Sequence, residues 1–256
     1  MADSSTTEQT VQINDMEMYY EIRGDGEPLI LLHGGTGFGG NWRLIFPESP
    51  PGYRLITPDL RGHGRSTNPA GQFTFQQCAL DVFALLDHLG IHQVKAIGLS
   101  LGAKTLLHLA TQQPERLKAM VMVSATPYFP EQARQVMRQI TIDNHSDQEW
   151  EMMRQWHKHG DDQIRALWKM ARDFQHTYDD LNFTPPLLAT ITASTLIVHG
   201  DRDPLYPPRL ALEMYAAIPR SYLWVVPNGD HGPIFGDKTG PFVRTALDFL
   251  GGAWDK

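Results

Sequence analysis

A serine hydroxyl is a poor nucleophile until a base takes its proton and a third group holds that base. The string GLSLG, residues 98–102, puts Ser100 between two glycines at i±2. The β-prone run QVKAIGL leads in, and LGAKTLLHLATQQ, with apolar side chains at helical spacing, leads out as far as Pro114. A serine that juts from such a strand-to-helix turn takes a strained backbone, usually with φ > 0. The residues two before and two after it then pass so closely that glycine is required, as at Gly98 and Gly102. The helix that follows points its positive end at the serine, which favours an oxyanion there.

The chain holds eleven histidines. Most lie in helical patterns or in the segment 127–191. His231 differs: VVPNGDHGPIF follows the last apolar run, and its Gly, Pro and Asp mark a loop at a strand end. Carboxylates directly after a strand occur in STLIVHGDRDPLYP, as Asp201 and Asp203; Asp230 stands beside the histidine. Asp203 is the expected third member, with Asp201 and Asp230 as competing assignments. The run before it, AMVMVSATP, ends in Ser124 and Thr126 and offers no acid. The chain order Ser100, Asp203, His231 is that of nucleophile, acid and base. Two donors must also meet the oxygen of a tetrahedral intermediate. The glycine-rich HGGTGFGG after PLILL supplies the N–H of Gly35, and Leu101 follows the nucleophile. No G-K-[ST] follows HGGTG, so a phosphate loop is excluded, and a dinucleotide loop would leave GLSLG unexplained.

These residues need a frame. VQIND and MYYEIRG read as two strands turning at Asn14–Asp15. PLILLHGG, YRLITPDL, QVKAIGL, AMVMVSA, STLIVHG and YLWVVP are further strands, and residues 75–89, LGAKTLLHLATQQ and FVRTALDFLGG are helices. Alternation of this kind makes a mostly parallel sheet covered on both faces, an α/β fold. The alternation breaks between Pro127 and Thr192, where helical patterns around QARQVMRQI, WEMMRQWHKH and IRALWKMARDF hold no strand. We expect residues 1–126 and 192–256 to form the core and 127–191 a small helical cap.

LLHGG, TPDLRGHGRS, GLSLG, VHGDRDP and NGDHGP together resemble the α/β-hydrolase fold superfamily, in its compact esterase and lactonase branch, including 3-oxoadipate enol-lactonase-type hydrolases. The resemblance covers nearly the whole chain outside the cap. It implies a central sheet of about eight strands, Ser100 as nucleophile, Asp203 as acid, His231 as base, Gly35 and Leu101 as oxyanion donors, and a cap that shapes the substrate pocket. Lys104 departs from the small residues that often follow the second elbow glycine; it is expected to be solvated or salt-bridged. Asp59 and His63 in DLRGHGRS are expected to shape a loop.

The chemistry expected is acyl transfer to water by a carboxylesterase, with a lactonase of enol-lactone or acyl-homoserine-lactone type as the alternative. A C–C bond hydrolase and a cofactor-free perhydrolase share the motifs; a ligand receptor would be expected to lack an intact triad. No metal or organic cofactor is called for. Phe38, Trp42, Tyr128, Phe129, Tyr206 and Phe235 flank the strand-end loops as candidate pocket residues, favouring a hydrophobic, uncharged ester of small to medium size. Cap aromatics such as Trp156 are expected to pack rather than bind. A net charge of −7 argues against nucleic-acid and anionic-membrane partners. The single cysteine, Cys78, allows no intramolecular disulfide. The polar N-terminal stretch MADSSTTEQT lacks the apolar core of a signal peptide, so a cytoplasmic location is expected. The sequons at Asn144 and Asn182 are then accidental. A homodimer is left open.

Overall fold

The computed structural model describes residues 6–254; the first five residues of the polar N-terminal stretch and the last two of the chain lie outside them. Its centre is an eight-stranded sheet. In chain order the strands are β1 (Thr7–Ile13), β2 (Met16–Arg23), β3 (Glu27–Leu32), β4 (Tyr53–Pro58), β5 (Val94–Leu99), β6 (Leu117–Val123), β7 (Ser194–Gly200) and β8 (Ser221–Val226). Spatially they run β1-β2-β4-β3-β5-β6-β7-β8. The β1–β2 and β2–β4 pairs are antiparallel, and every pair from β4 to β8 is parallel. Asn14, at φ 47°, makes the tight β1–β2 turn.

Alternating side chains of the inner strands feed two cores. Ile30 and Leu32 of β3 join one cluster with Leu106 and Leu107 of α2 (Leu101–Gln112) and Phe75 of α1 (Phe75–His88). Leu29 and Leu31 join the other, with Trp42 of the 3-10 turn Gly39–Leu44. Burial on both faces is why these strands read as continuous apolar runs. The α1 helix starts at Thr74, whose hydroxyl accepts the Gln77 N–H.

Between β6 and β7 the chain runs through α3 (Glu131–Arg138), α4 (Asp147–Trp156), α5 (Asp161–Asp173) and α6 (Pro185–Leu188). Met153, Ile164, Leu167 and Trp168 form a small core of their own. The turn between α4 and α5 grips the 61–65 loop. His157 accepts the Gly64 N–H at 2.8 Å, the Lys158 N–H goes to the Gly64 carbonyl, and Gln163 reaches the Gly62 and Gly64 carbonyls. These contacts explain why the helical pattern through His159 stops at Trp156: His157 is extended to reach the loop. After β7 come α7 (Pro208–Ala217) and, last, α8 (Thr239–Leu250). No helical pattern expected from the sequence corresponds to α7.

β3 is flanked by β4 on one side and β5 on the other, although the chain visits them in turn. The order of connection reverses there, and loops leaving the carboxyl ends of such strands diverge to open a crevice. The HGGTG loop leaves β3 and Ser100 leaves β5 at that point.

Candidate active site

Ser100 sits between β5 and α2 with φ 49° and ψ −100°, a strained conformation for a residue with a side chain. Its N–H is held by the Val123 carbonyl at 2.8 Å, and its carbonyl accepts the Lys104 N–H at 3.0 Å. The glycines are required by close backbone approach. A Cβ on Gly98 would lie 2.6 Å from the Gly102 carbonyl carbon, and one on Gly102 only 2.2 Å from the Leu32 oxygen.

Three strand-end loops bring the polar groups together. Ser100 Oγ lies 2.8 Å from His231 Nε2, and His231 Nδ1 lies 2.8 Å from Asp203 Oδ2. A carboxylate only accepts, so Nδ1 carries the proton and Nε2 is left free to take one from Ser100. The other Asp203 oxygen accepts the N–H groups of Leu205 and Tyr206. Burial alone would raise the Asp203 carboxyl, but the His231 ring and these two donors outweigh it, and the net shift is downward. Asp203 is 5% exposed. Asp201 faces Arg202 instead, and Asp230 turns back to its own loop at the Gly232 N–H. The Tyr206 ring packs edge-on against His231, centroids 5.2 Å apart.

Gly35 and Leu101 are neighbours across the crevice: a Cβ on Gly35 would lie 3.8 Å from the Leu101 side chain. Leu101 opens α2, where the first N–H groups have no intrahelical acceptor. Among the described residues neither N–H has an acceptor within the chain. His33 stiffens the loop by donating from Nδ1 to the Gly34 carbonyl and accepting the Leu60 N–H at Nε2. Burial pulls its pKa down to about 4, which keeps the ring neutral. The Gly102 N–H, donated to the His33 carbonyl at 3.0 Å, ties the start of α2 to that loop.

An apolar cavity of about 330 Å³ opens beside these groups, lined among others by Gly35, Leu99, Trp42, Trp156 and Phe235. Two of the six expected pocket aromatics, Trp42 and Phe235, line it. Phe38 backs it, stacked on Trp156 at 5.7 Å. Trp156, expected only to pack, is part of the wall; its place at the end of α4, before the contact at His157, is a tertiary effect with no local signal. Tyr128 stands apart, its hydroxyl on Glu213. Phe129 and Tyr206 are buried around Lys104. A larger cavity, about 690 Å³, lies between the 61–74 loop and α5; Ser100, Asp203 and His231 are not among its walls. The smaller cavity is the one beside the serine, because its walls include the Gly35 loop and Leu99, the residue directly before Ser100.

Asp59 and His63 shape loops. Asp59 accepts the Gly39 and Arg65 N–H groups, and burial lifts its carboxyl to about 6. His63 is fully buried, 4.9 Å from the His33 ring.

Lys104 overturns its expectation of a solvated or salt-bridged side chain. It is 2% exposed. Its Nζ donates to the Tyr206 hydroxyl at 2.9 Å and approaches Ser100 Oγ at 3.4 Å. Spacing held the signal, since i and i+4 share a helix face, and a residue one turn after the nucleophile points where the nucleophile points.

A strained serine, a histidine–aspartate pair and two free N–H groups at the reversal point of a parallel sheet define a nucleophile-elbow hydrolase architecture. Residues 27–181 match the alpha/beta hydrolase fold family, and the chain belongs to it. It is 29% identical over 269 aligned positions to a 2-hydroxy-6-oxononadienedioate/2-hydroxy-6-oxononatrienedioate hydrolase of Pseudomonas putida, covering 92% of each chain. It is 27% identical to the human serine hydrolase BPHL, covering 96% of this chain and 87% of the relative. Among solved structures, the 2-hydroxy-6-oxo-6-phenylhexa-2,4-dienoate hydrolase of Rhodococcus sp. strain RHA1 matches with a TM-score of 0.78 at 18% identity, over 96% of this chain and 99% of that one.

Proposed function

We propose that the protein is a serine hydrolase that cleaves carboxylic ester bonds through an acyl-enzyme on Ser100. The observation that carries this reading is the unbroken relay from Ser100 Oγ through His231 to Asp203, 2.8 Å at each step. His231 Nε2 takes the hydroxyl proton as Oγ bonds to the ester carbonyl carbon. The carbonyl oxygen becomes an oxyanion that the Gly35 and Leu101 N–H groups face. The intermediate collapses, the C–O bond to the alcohol breaks, and His231 returns the proton to the departing alkoxide. Water then repeats the sequence, leaving the free acid and restoring Ser100. Asp203 holds the ring and offsets the charge of the imidazolium. The apolar cavity takes a small to medium hydrophobic part of the ester, and residues 127–191 serve as its cap, contributing Trp156.

A lactone fits the same steps, with its leaving oxygen tethered to the acyl group. A carbon leaving group is the second reading, favoured by the name of the Pseudomonas putida relative. A panel of esters and lactones of graded acyl length separates these readings. Ser100→Ala should abolish turnover of a short p-nitrophenyl ester while circular dichroism stays native. A wild type inert on every ester and lactone, yet binding a small ligand tightly, would overturn the ester reading.

A further inference from the structure

Lys104 is a buried nucleophilic group that these steps leave unused. Besides its contacts with Ser100 and Tyr206, the rings of Phe75, Phe129 and Tyr206 stand 5.5, 5.3 and 5.1 Å from Nζ. Ring faces attract a cation but supply no counter-charge. An ammonium held this way is costly until an anion neutralises it. The charged group whose field reaches it is Asp203. Both Asp203 oxygens are already engaged, by His231 and by the Leu205 and Tyr206 N–H groups. Burial accordingly pulls Lys104 down to about 7, with Asp203 opposing in part. Tyr206 accepts from the lysine and retains its own O–H to donate, because burial pushes the phenol pKa well up.

A carbonyl carbon attacked by Ser100 must lie against Oγ, and Oγ is 3.4 Å from Nζ. A substituent close to that carbon therefore comes within reach of the lysine. We propose that Lys104 and Tyr206 form an anion subsite beside the nucleophile, so that the preferred acyl group carries a carboxylate within one or two carbons of its scissile carbonyl. This rests on the reading of Ser100 as nucleophile. The carboxylate supplies the charge that the site lacks, and the lysine holds its proton once the pair forms. The apolar cavity then receives the remainder of the substrate, which narrows the uncharged ester expected from the pocket aromatics to a half-ester.

The test compares monoethyl malonate and monoethyl succinate with ethyl acetoacetate and ethyl levulinate, neutral esters of similar shape. In the wild type the anionic member of each pair should have a kcat/KM higher by at least about tenfold, the scale of one charge-assisted hydrogen bond. The ratio should collapse toward unity in Lys104→Met and in Lys104→Gln, mainly through KM. Equal or reversed values in the wild type overturn the proposal whether or not the variants fold. A preference that survives in a folded Lys104→Met also overturns it. If no ester is turned over, titration calorimetry with succinate and succinamide decides. Succinate binding that Lys104→Met abolishes, with none for succinamide, keeps the subsite while the ester reading fails; no succinate binding removes the subsite too.

Discussion

Asp201 and Asp203 leave the same strand end two residues apart, yet only Asp203 meets His231, at 2.8 Å. Asp203→Asn should lower kcat by roughly four orders of magnitude, because it misorients the ring and reverses its tautomer. Asp201→Asn, which turns to Arg202, should stay within a few fold. Steady-state kinetics on one short ester checks both. The same pair affects folding. The Asp203 carboxyl lies below its ordinary value in the folded chain, so its contribution is present at neutral pH and is lost as the pH falls through the depressed value. The three residues that meet at the strand-end loops, Ser100, His231 and Asp203, were legible because each sits in a turn with a local signature. Lys104 was not, because a lysine on a helix defaults to solvent, and its i+4 spacing from Ser100 carries weight only once Phe75, Phe129 and Tyr206 are seen packed around it.

At the scale of elements, the elbow depends on backbones that touch. Gly102→Ala drives a methyl into the Leu32 carbonyl, and overpacking of this kind costs about 1–3 kcal/mol. For a chain of this size that is a fall in Tm of roughly 2–12 °C by scanning calorimetry, at about 2–4 °C per kcal/mol. The α4–α5 turn depends on a neutral ring. Burial holds His157 down to about 4, and His33 likewise. Both folded values lie below the ordinary 6.5, so the unfolded chain takes up these protons first. Stability should therefore fall as pH drops from 6.5 toward 4, and the Gly64 amide, which His157 accepts, should lose its hydrogen-exchange protection over that window. His157→Phe should raise that amide's exchange at neutral pH and flatten its pH dependence. Every strand of the sheet was legible from runs and turns. α7 was hidden by Pro207 and Pro208, which read as loop but serve as its N-terminal entry. The end of α4 was hidden because it is fixed by the 61–65 loop, far away in sequence.

At the scale of the whole molecule, the sheet reverses its connection order at β3 and gathers the loops after β3, β5, β7 and β8 at one edge. Ser100, His231 and Asp203 thus stand together on strand-end loops, and the segment between β6 and β7 adds Trp156 to the wall of the neighbouring cavity. No helix among the described residues is long and apolar enough to cross a membrane. Trp156→Ala enlarges the 330 Å³ cavity from the α4 side, and should shift the preferred alkyl length of the alcohol or acyl group upward across a graded ester series. A preference that stays in place would assign that wall to packing alone. The sequence carries the class of chemistry in five short motifs, whereas cavity shape arises from residues as far apart as Gly35, Trp156 and Phe235, which no local pattern relates.

In the proposed mechanism Ser100 carries the acyl group between two half-reactions. Rapid mixing with p-nitrophenyl butyrate, followed by acid quench and peptide mass analysis, tests it directly. The expected result is a burst of p-nitrophenol that scales with protein, a butyryl adduct on the peptide containing Ser100, and neither in Ser100→Ala. Turnover with no adduct on that peptide, or an adduct that survives in Ser100→Ala, would contradict it.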